Sequence, residues 1–228
     1  MQKKEEKVYS ALLVIIYLAF ISLGLPDTLL GSAWPQMHIE LNASLSSAGI
    51  ITMIISMGTV ISSLFSDRLN IKLGTGKVTA ISVLMTAVAL LGFSLSHSFI
   101  ILCVLAVPYG LGAGAVDAAL NNYVALHYSS KHMSWLHCFW GVGASIGPYI
   151  IGTCMAHGLG WRGGYSVISV IQFTLTAALF ITLPLWKKVE NSENNVSNGS
   201  NERTQEEPQE RKAKSLSEVL QTERNGVC

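Results

Sequence analysis

Six apolar stretches, each long enough to cross a bilayer, leave this 228-residue chain few folds to choose from. They run approximately from Tyr9 to Met37, Leu45 to Ser66, Val78 to Ser96, Phe99 to Leu126, Ser134 to Ala156 and Gly164 to Trp186. A helix rises ~1.5 Å per residue, so about 20 residues cover ~30 Å of hydrocarbon. In lipid every backbone N–H and C=O needs an internal partner, which limits a spanning chain to helices or a closed barrel. The stretches lack strand alternation, so the sequence predicts an all-α membrane protein with six transmembrane helices. Charged residues are 13% of the chain, about half the share of a soluble domain. The first expected partner is therefore the lipid bilayer, and no nucleic-acid partner is expected.

The basic residues set the expected orientation. With the N-terminus in the cytoplasm, Lys3, Lys4, Lys7, Arg68, Lys72, Lys77, Lys131, Lys187 and Lys188 fall inside, and Arg162 falls outside. Both termini are then cytoplasmic in a multi-pass protein of the plasma or inner membrane. The first stretch exceeds a signal-peptide core and ends in no small-residue cleavage site, so it reads as retained. Residues 1–8 form a cytoplasmic N-terminus, residues 9–186 the six-span bundle, and residues 187–228 a polar cytoplasmic tail.

From Asn191 to Arg211 the tail is rich in Asn, Ser, Glu and Gln and has Val196 as its one large apolar side chain. Such a segment cannot offset ordering entropy by burial, so it is expected to be disordered. Further on, Ser215 and Glu218 stand at capping-box spacing beside Leu216, Val219 and Leu220, which predicts a short amphipathic helix over 215–221. Cys103, Cys138 and Cys154 lie within spans and Cys228 in the tail, so no disulfide or metal framework is implied.

Asp27 and Asp117 are the formal charges inside the six stretches. A carboxylate at the bilayer centre costs about 2.5–3.5 kcal/mol even on the lenient insertion scale, so such groups face a cavity or a partner. Counted along their helices at ~1.5 Å per residue, both fall near mid-membrane. Pro26 and Gly24 beside Asp27 predict a broken or kinked helix whose freed backbone groups face a polar cavity. Asp117 and Asn121, four residues apart, share a helix face and make a polar stripe. The residues themselves thus point to a transport pathway. A structural alternative is a carboxylate that merely caps the kink.

On these residues the chain resembles the major facilitator superfamily, and within it the fucose permease-like sugar:proton symporters. Ser66-Asp67-Arg68-Leu69-Asn70-Ile71-Lys72-Leu73-Gly74-Thr75-Gly76-Lys77, between the second and third stretches, is similar to that superfamily's cytoplasmic loop motif, with Ser63 where its first Gly is expected. The resemblance implies that Asp67 and Arg68 serve a cytoplasmic gate. Pro26-Asp27-Thr28-Leu29-Leu30 resembles the branch's first span, where an Asp contacts substrate and couples it to protons. The Gly-rich run Gly110 to Asn121 is similar to its fourth span, implying that Asp117 takes the place of a protonatable Glu. The Arg found in the fourth span of many proton-coupled members is absent, with Ala106 and Pro108 at its positions; the fucose permease-like branch lacks it too.

In the fifth span, Trp135 to Gly141 resembles a sugar-contacting segment, with His137 in place of a Gln. A lone His is as often a packed residue as a ligand contact. Trp135, Phe139 and Trp140 have three places open to them, against a sugar ring, facing lipid or in the core, and the core is the expectation. Gly143, Gly147, Pro148 and Gly152 are similar to the superfamily's fifth-span glycine-proline motif, whose physical content is close helix packing and which is commoner in exchangers.

The resemblance implies half of a two-half carrier, a proton-coupled uptake system for a sugar or similar small polar solute. Asp27, Asp117, Asn121 and His137 would line its cavity, with the proton as coupling ion and no cofactor or metal. Either a second six-helix half or a homodimer partner would complete it, or the chain is a truncated product. Alternatives within the same class are an exchanger or drug efflux protein; outside it stands a non-transporting membrane remnant or interaction protein. Gly143-Ala144-Ser145-Ile146-Gly147 also matches a hydrolase elbow. The sixth stretch has no His to activate Ser145, so no enzyme is expected.

Overall fold

The computed structural model describes the backbone of residues 2–205 and the side chains of residues 9–187 and 189. It divides into units of residues 1–189 and 190–228; all contacts described below lie within the first. Six segments are long and apolar enough to span a membrane, from Tyr9–Glu40 to Gly160–Lys187. They match the apolar stretches one for one.

The first span is two helices, α1 (Gln2–Asp27) and α2 (Leu29–Glu40), separated at Thr28. The others are α3 (Ala48–Leu73), α4 (Thr75–Leu95), α5 (Phe99–His127), α6 (Ser130–Ala156) and α7 (Gly160–Gln205). The expected loop from Ser66 to Lys77 is helical except at Gly74, so Asp67 and Arg68 sit inside the last turns of α3. A one-residue reversal is possible there because Gly74 adopts φ 81° and ψ 148°, a region essentially closed to residues with a Cβ.

At its far end α7 also departs from expectation, running helical to Gln205 past the polar boundary at Trp186. A helix already nucleated extends cheaply, one hydrogen bond per residue fixed. The stretch from Asn191, expected to be disordered, is thus helical as far as Gln205, while 206–228, with the expected 215–221 helix, lies outside the described residues.

Two seams of small residues hold the bundle, and without hydrophobic drive between helices in lipid such close packing supplies much of the attraction. Along α1 and α6, a Cβ on Gly24 would stand 2.1 Å from the Trp140 carbonyl oxygen, one on Gly143 2.0 Å from that of Ile21, and one on Gly147 2.2 Å from that of Leu25. Along α3 and α5, Gly110 lies against the Ile55 carbonyl and Gly114 against Thr59, so the close approach expected of a Gly at position 63 is made instead by α5's glycines. Of the fifth-span motif, Gly143 and Gly147 pack; Gly152 faces open space.

One buried cluster, centred on Trp161, Tyr165, Phe93 and Tyr109, fills the end of the bundle that holds Arg162. A second, with Leu12, Ile16, Phe20 and Trp186, fills the opposite end. In the apolar windows of α3 and α6, 17% and 22% of residues are buried, against 61% in α4. α4 is therefore the most enclosed of the six spans, and α3 and α6 each carry a side that this chain leaves uncovered.

Candidate functional site

Between α1, α3, α5 and α6 lies an open cleft of about 610 Å³. Asp27, Asp117 and His137 all line it, together with Thr59, Ser63 and Trp140. Three residues picked from three separate spans thus meet in one space.

Asp27 ends α1 at the break. Its carboxylate accepts two hydrogen bonds from elsewhere in the bundle: the Tyr109 hydroxyl donates to Oδ1 at 3.1 Å, and the Trp140 indole Nε1 donates to Oδ2 at 2.9 Å. Each oxygen keeps a second lone pair. Across the cleft, Asn121 Nδ2 donates to Asp117 Oδ1 at 3.0 Å, one turn along α5. Asn121 therefore holds Asp117 from behind and is not among the cleft-lining residues, contrary to the expectation that it would be. His137 places its ring edge-on to Phe20 at 6.3 Å, with its side chain exposed on the cleft face.

Trp140 corrects a second expectation. It is exposed at the cleft rather than packed in the core, and its N–H anchors Asp27. Trp135 is also exposed, while Phe139 packs against Tyr17 with ring centroids 4.7 Å apart and the planes tilted by 37°. Position offered a clue: Trp140 follows His137 by three residues, hence on the same helix face, and Tyr109 precedes Asp117 by eight, two turns along one face of α5.

The breaks that shape this site obey a simple accounting. A proline inside a helix has no N–H for the carbonyl four residues earlier. For Pro26 that carbonyl belongs to Ser22, and Gln172 of α7 donates its Nε2 to it at 2.6 Å. The Ser22 hydroxyl answers by donating to Gln172 Oε1 at 2.7 Å. For Pro148 the carbonyl is that of Ala144, and the Thr28 hydroxyl donates to it at 2.9 Å. Pro148 thus acts through the partner its absent N–H makes room for. Thr28, Ser22 and Gln172 were not singled out in the sequence, although Gln172 is the sole amide side chain within the sixth stretch.

Asp67 and Arg68 are exposed at the end of α3, away from the cleft. Ser145 donates its hydroxyl to the Gly141 carbonyl at 2.9 Å inside the uninterrupted α6, so the hydrolase-like pattern forms no strand-to-helix elbow. At the Arg162 end, the Arg162 guanidinium pairs with Glu40, donates to the Ser96 carbonyl at 3.1 Å and lies 4.3 Å from the Trp161 ring centroid. Trp161 Nε1 also donates to Glu40, at 3.0 Å. Arg162 therefore ties α2, the α4–α5 turn and the start of α7 together.

A family model described as Major Facilitator Superfamily matches residues 16–224. An uncharacterized transporter, y4wD, of Sinorhizobium fredii is 25% identical over 116 residues, 50% of this chain and 31% of that protein. Synaptic vesicle glycoprotein 2B of Rattus norvegicus is 24% identical over 160 residues, 68% of this chain and 23% of that protein. Synaptic vesicle glycoprotein 2C of the same species is 24% identical over 168 residues, 72% and 23% respectively. The chain spans about a third or less of the length of these curated relatives.

Proposed function

This chain belongs to the Major Facilitator Superfamily, and from that premise we propose that it forms one six-helix half of a secondary active transporter. The reading is proton-coupled uptake of a sugar or similar small polar solute by alternating access. Its support is one observation: Asp27 and Asp117, the two acids at membrane depth, open onto the same cleft. Carboxylates are costly in hydrocarbon, and a shared water-filled passage is the setting in which both are tolerated.

In this reading Asp27 contacts the solute and couples it to the proton. Tyr109 and Trp140 hold its carboxylate still, while the remaining lone pairs face outward for a hydroxyl or a proton. Asp117, held by Asn121, takes up and releases the coupling proton. His137 offers the solute a donor or an acceptor, and Trp140 offers a ring face. Asp67 and Arg68 serve the gate at their end, which is assigned to the cytoplasm along with both termini. The uncovered sides of α3 and α6 meet six further spans, in the same or a second polypeptide, and the solute sits between the halves.

Uptake into proteoliposomes containing this chain and its complementing half tests the proposal. Asp117→Asn is expected to abolish net accumulation driven by a proton gradient while leaving solute exchange intact. Unaltered accumulation in Asp117→Asn would remove Asp117 from the mechanism. A carrier that exchanges normally but never accumulates, even in the unmodified protein, would identify an exchanger instead.

A further inference from the structure

Directly behind Asp27 the bundle holds a second, far smaller space of about 10 Å³, bordered by Ser22, Pro26, Tyr109 and Gln172. It is about one water probe in size. Its walls connect two of the features that fix Asp27, the proline break in α1 and the tyrosine that grips the carboxylate.

Gln172 is 2% exposed and Ser22 4%. The amide orientation follows from its partner: a carbonyl can only accept, so Nε2 must face the Ser22 carbonyl, which leaves Oε1 for the Ser22 hydroxyl. Both polar ends of the side chain are thereby used on one residue of α1. The carbonyl they serve, that of Ser22, is left without a helical donor by Pro26, the residue next to Asp27. Unmet, that carbonyl would draw the α1 backbone toward another donor and swing Asp27 away from Tyr109.

We infer that Gln172 is a positioning residue for Asp27, acting from the sixth span through the proline-freed carbonyl of Ser22. This rests on the reading of Asp27 as a working group of the cleft. Gln172 touches neither solute nor proton; it sets the angle at which α1 delivers its carboxylate.

Carbodiimide labelling of the full-length chain in lipid, read by peptide mass spectrometry, tests this with Asp117 as an internal reference. Gln172→Leu and the shorter Gln172→Asn are expected to raise the ratio of Asp27 to Asp117 labelling about threefold or more, the scale of a modest network coupling. In a Pro26→Ala background, residue 26 supplies its own N–H, so Gln172→Asn is expected to leave the ratio nearly unchanged. Equal increases at both aspartates would show general loosening and overturn the assignment, as would the same Gln172→Asn effect with and without Pro26. An Asp27 that resists labelling in the unmodified chain would sink the cleft reading and this inference together. A reactive Asp27 with a ratio indifferent to Gln172 would sink the inference alone.

Discussion

Replacing Gly143 with alanine adds one methyl group and should cost far more than a methyl's worth of stability. The new Cβ would sit 2.0 Å from the Ile21 carbonyl oxygen, where the neighbouring atoms are backbone and cannot rotate away. Ordinary C···O contact begins near 3.3–3.6 Å, so α1 and α6 must part by about 1.4 Å. The two hydrogen bonds of that seam nearest Gly143 run from Trp140 to Asp27 and from Thr28 to the Ala144 carbonyl, each 2.9 Å long. Parting by that amount carries both past ~4 Å, outside hydrogen-bonding range. The Ala144 carbonyl, already without a helical donor because of Pro148, then loses its substitute, a penalty of about 1–3 kcal/mol for an unsatisfied buried group. Packing lost along the seam adds to it. Gly152→Ala is the matched control, on the same helix with nothing within 4 Å of the added Cβ, and should be neutral or slightly stabilising through helix propensity. Thermal unfolding in detergent would read both. Gly143→Ala as stable as the parent, or Gly152→Ala equally damaged, would refute the seam argument.

Gly74→Ala should destabilise by about 1–3 kcal/mol, because φ 81° with ψ 148° strains any side-chain-bearing residue; urea titration of the reconstituted chain would measure it. Arg162→Lys should recover little of the stability lost in Arg162→Ala, about 1 kcal/mol given the half-solvated setting, since an ammonium cannot reach Glu40 and the Ser96 carbonyl together. A lysine variant melting with the parent would refute that. Trp140→Phe keeps an aromatic ring but removes the donor to Asp27 Oδ2, so solute affinity should fall about tenfold, as for a lost charge-assisted bond, with Trp140→His partly restoring it. Equal affinity in Trp140→Phe, measured by solute protection of Asp27 from labelling, would separate the indole N–H from the site.

How much of this was legible in the chain depended on whether one residue or a pair carried the signal. Span positions followed from apolar length alone, because lipid forbids other solutions. Asp27 and Asp117 stood out singly as charges in oil, and the break beside Asp27 followed from Pro26. Residues that matter through a partner far along the chain stayed hidden. Trp140 read as core because an aromatic in a span usually is; only the Asp27 carboxylate, 113 residues away, makes it a cleft residue. Gln172 has meaning only beside a carbonyl 150 residues earlier. Asp67 and Arg68 read as a loop because charges usually end a span, yet a single glycine sufficed for the reversal and the helix carried on around them.

The economy of the connections has a mechanical result. α3 and α4 share one linking residue, and α5 joins α6 through Tyr128 and Ser129. At the opposite face Arg162 ties α2 and the α4–α5 turn to α7, so these short links and that clasp leave little slack within the block. In the transporter proposed above, a stroke that turns the cleft from one aqueous compartment to the other would then be a tilt of the whole block.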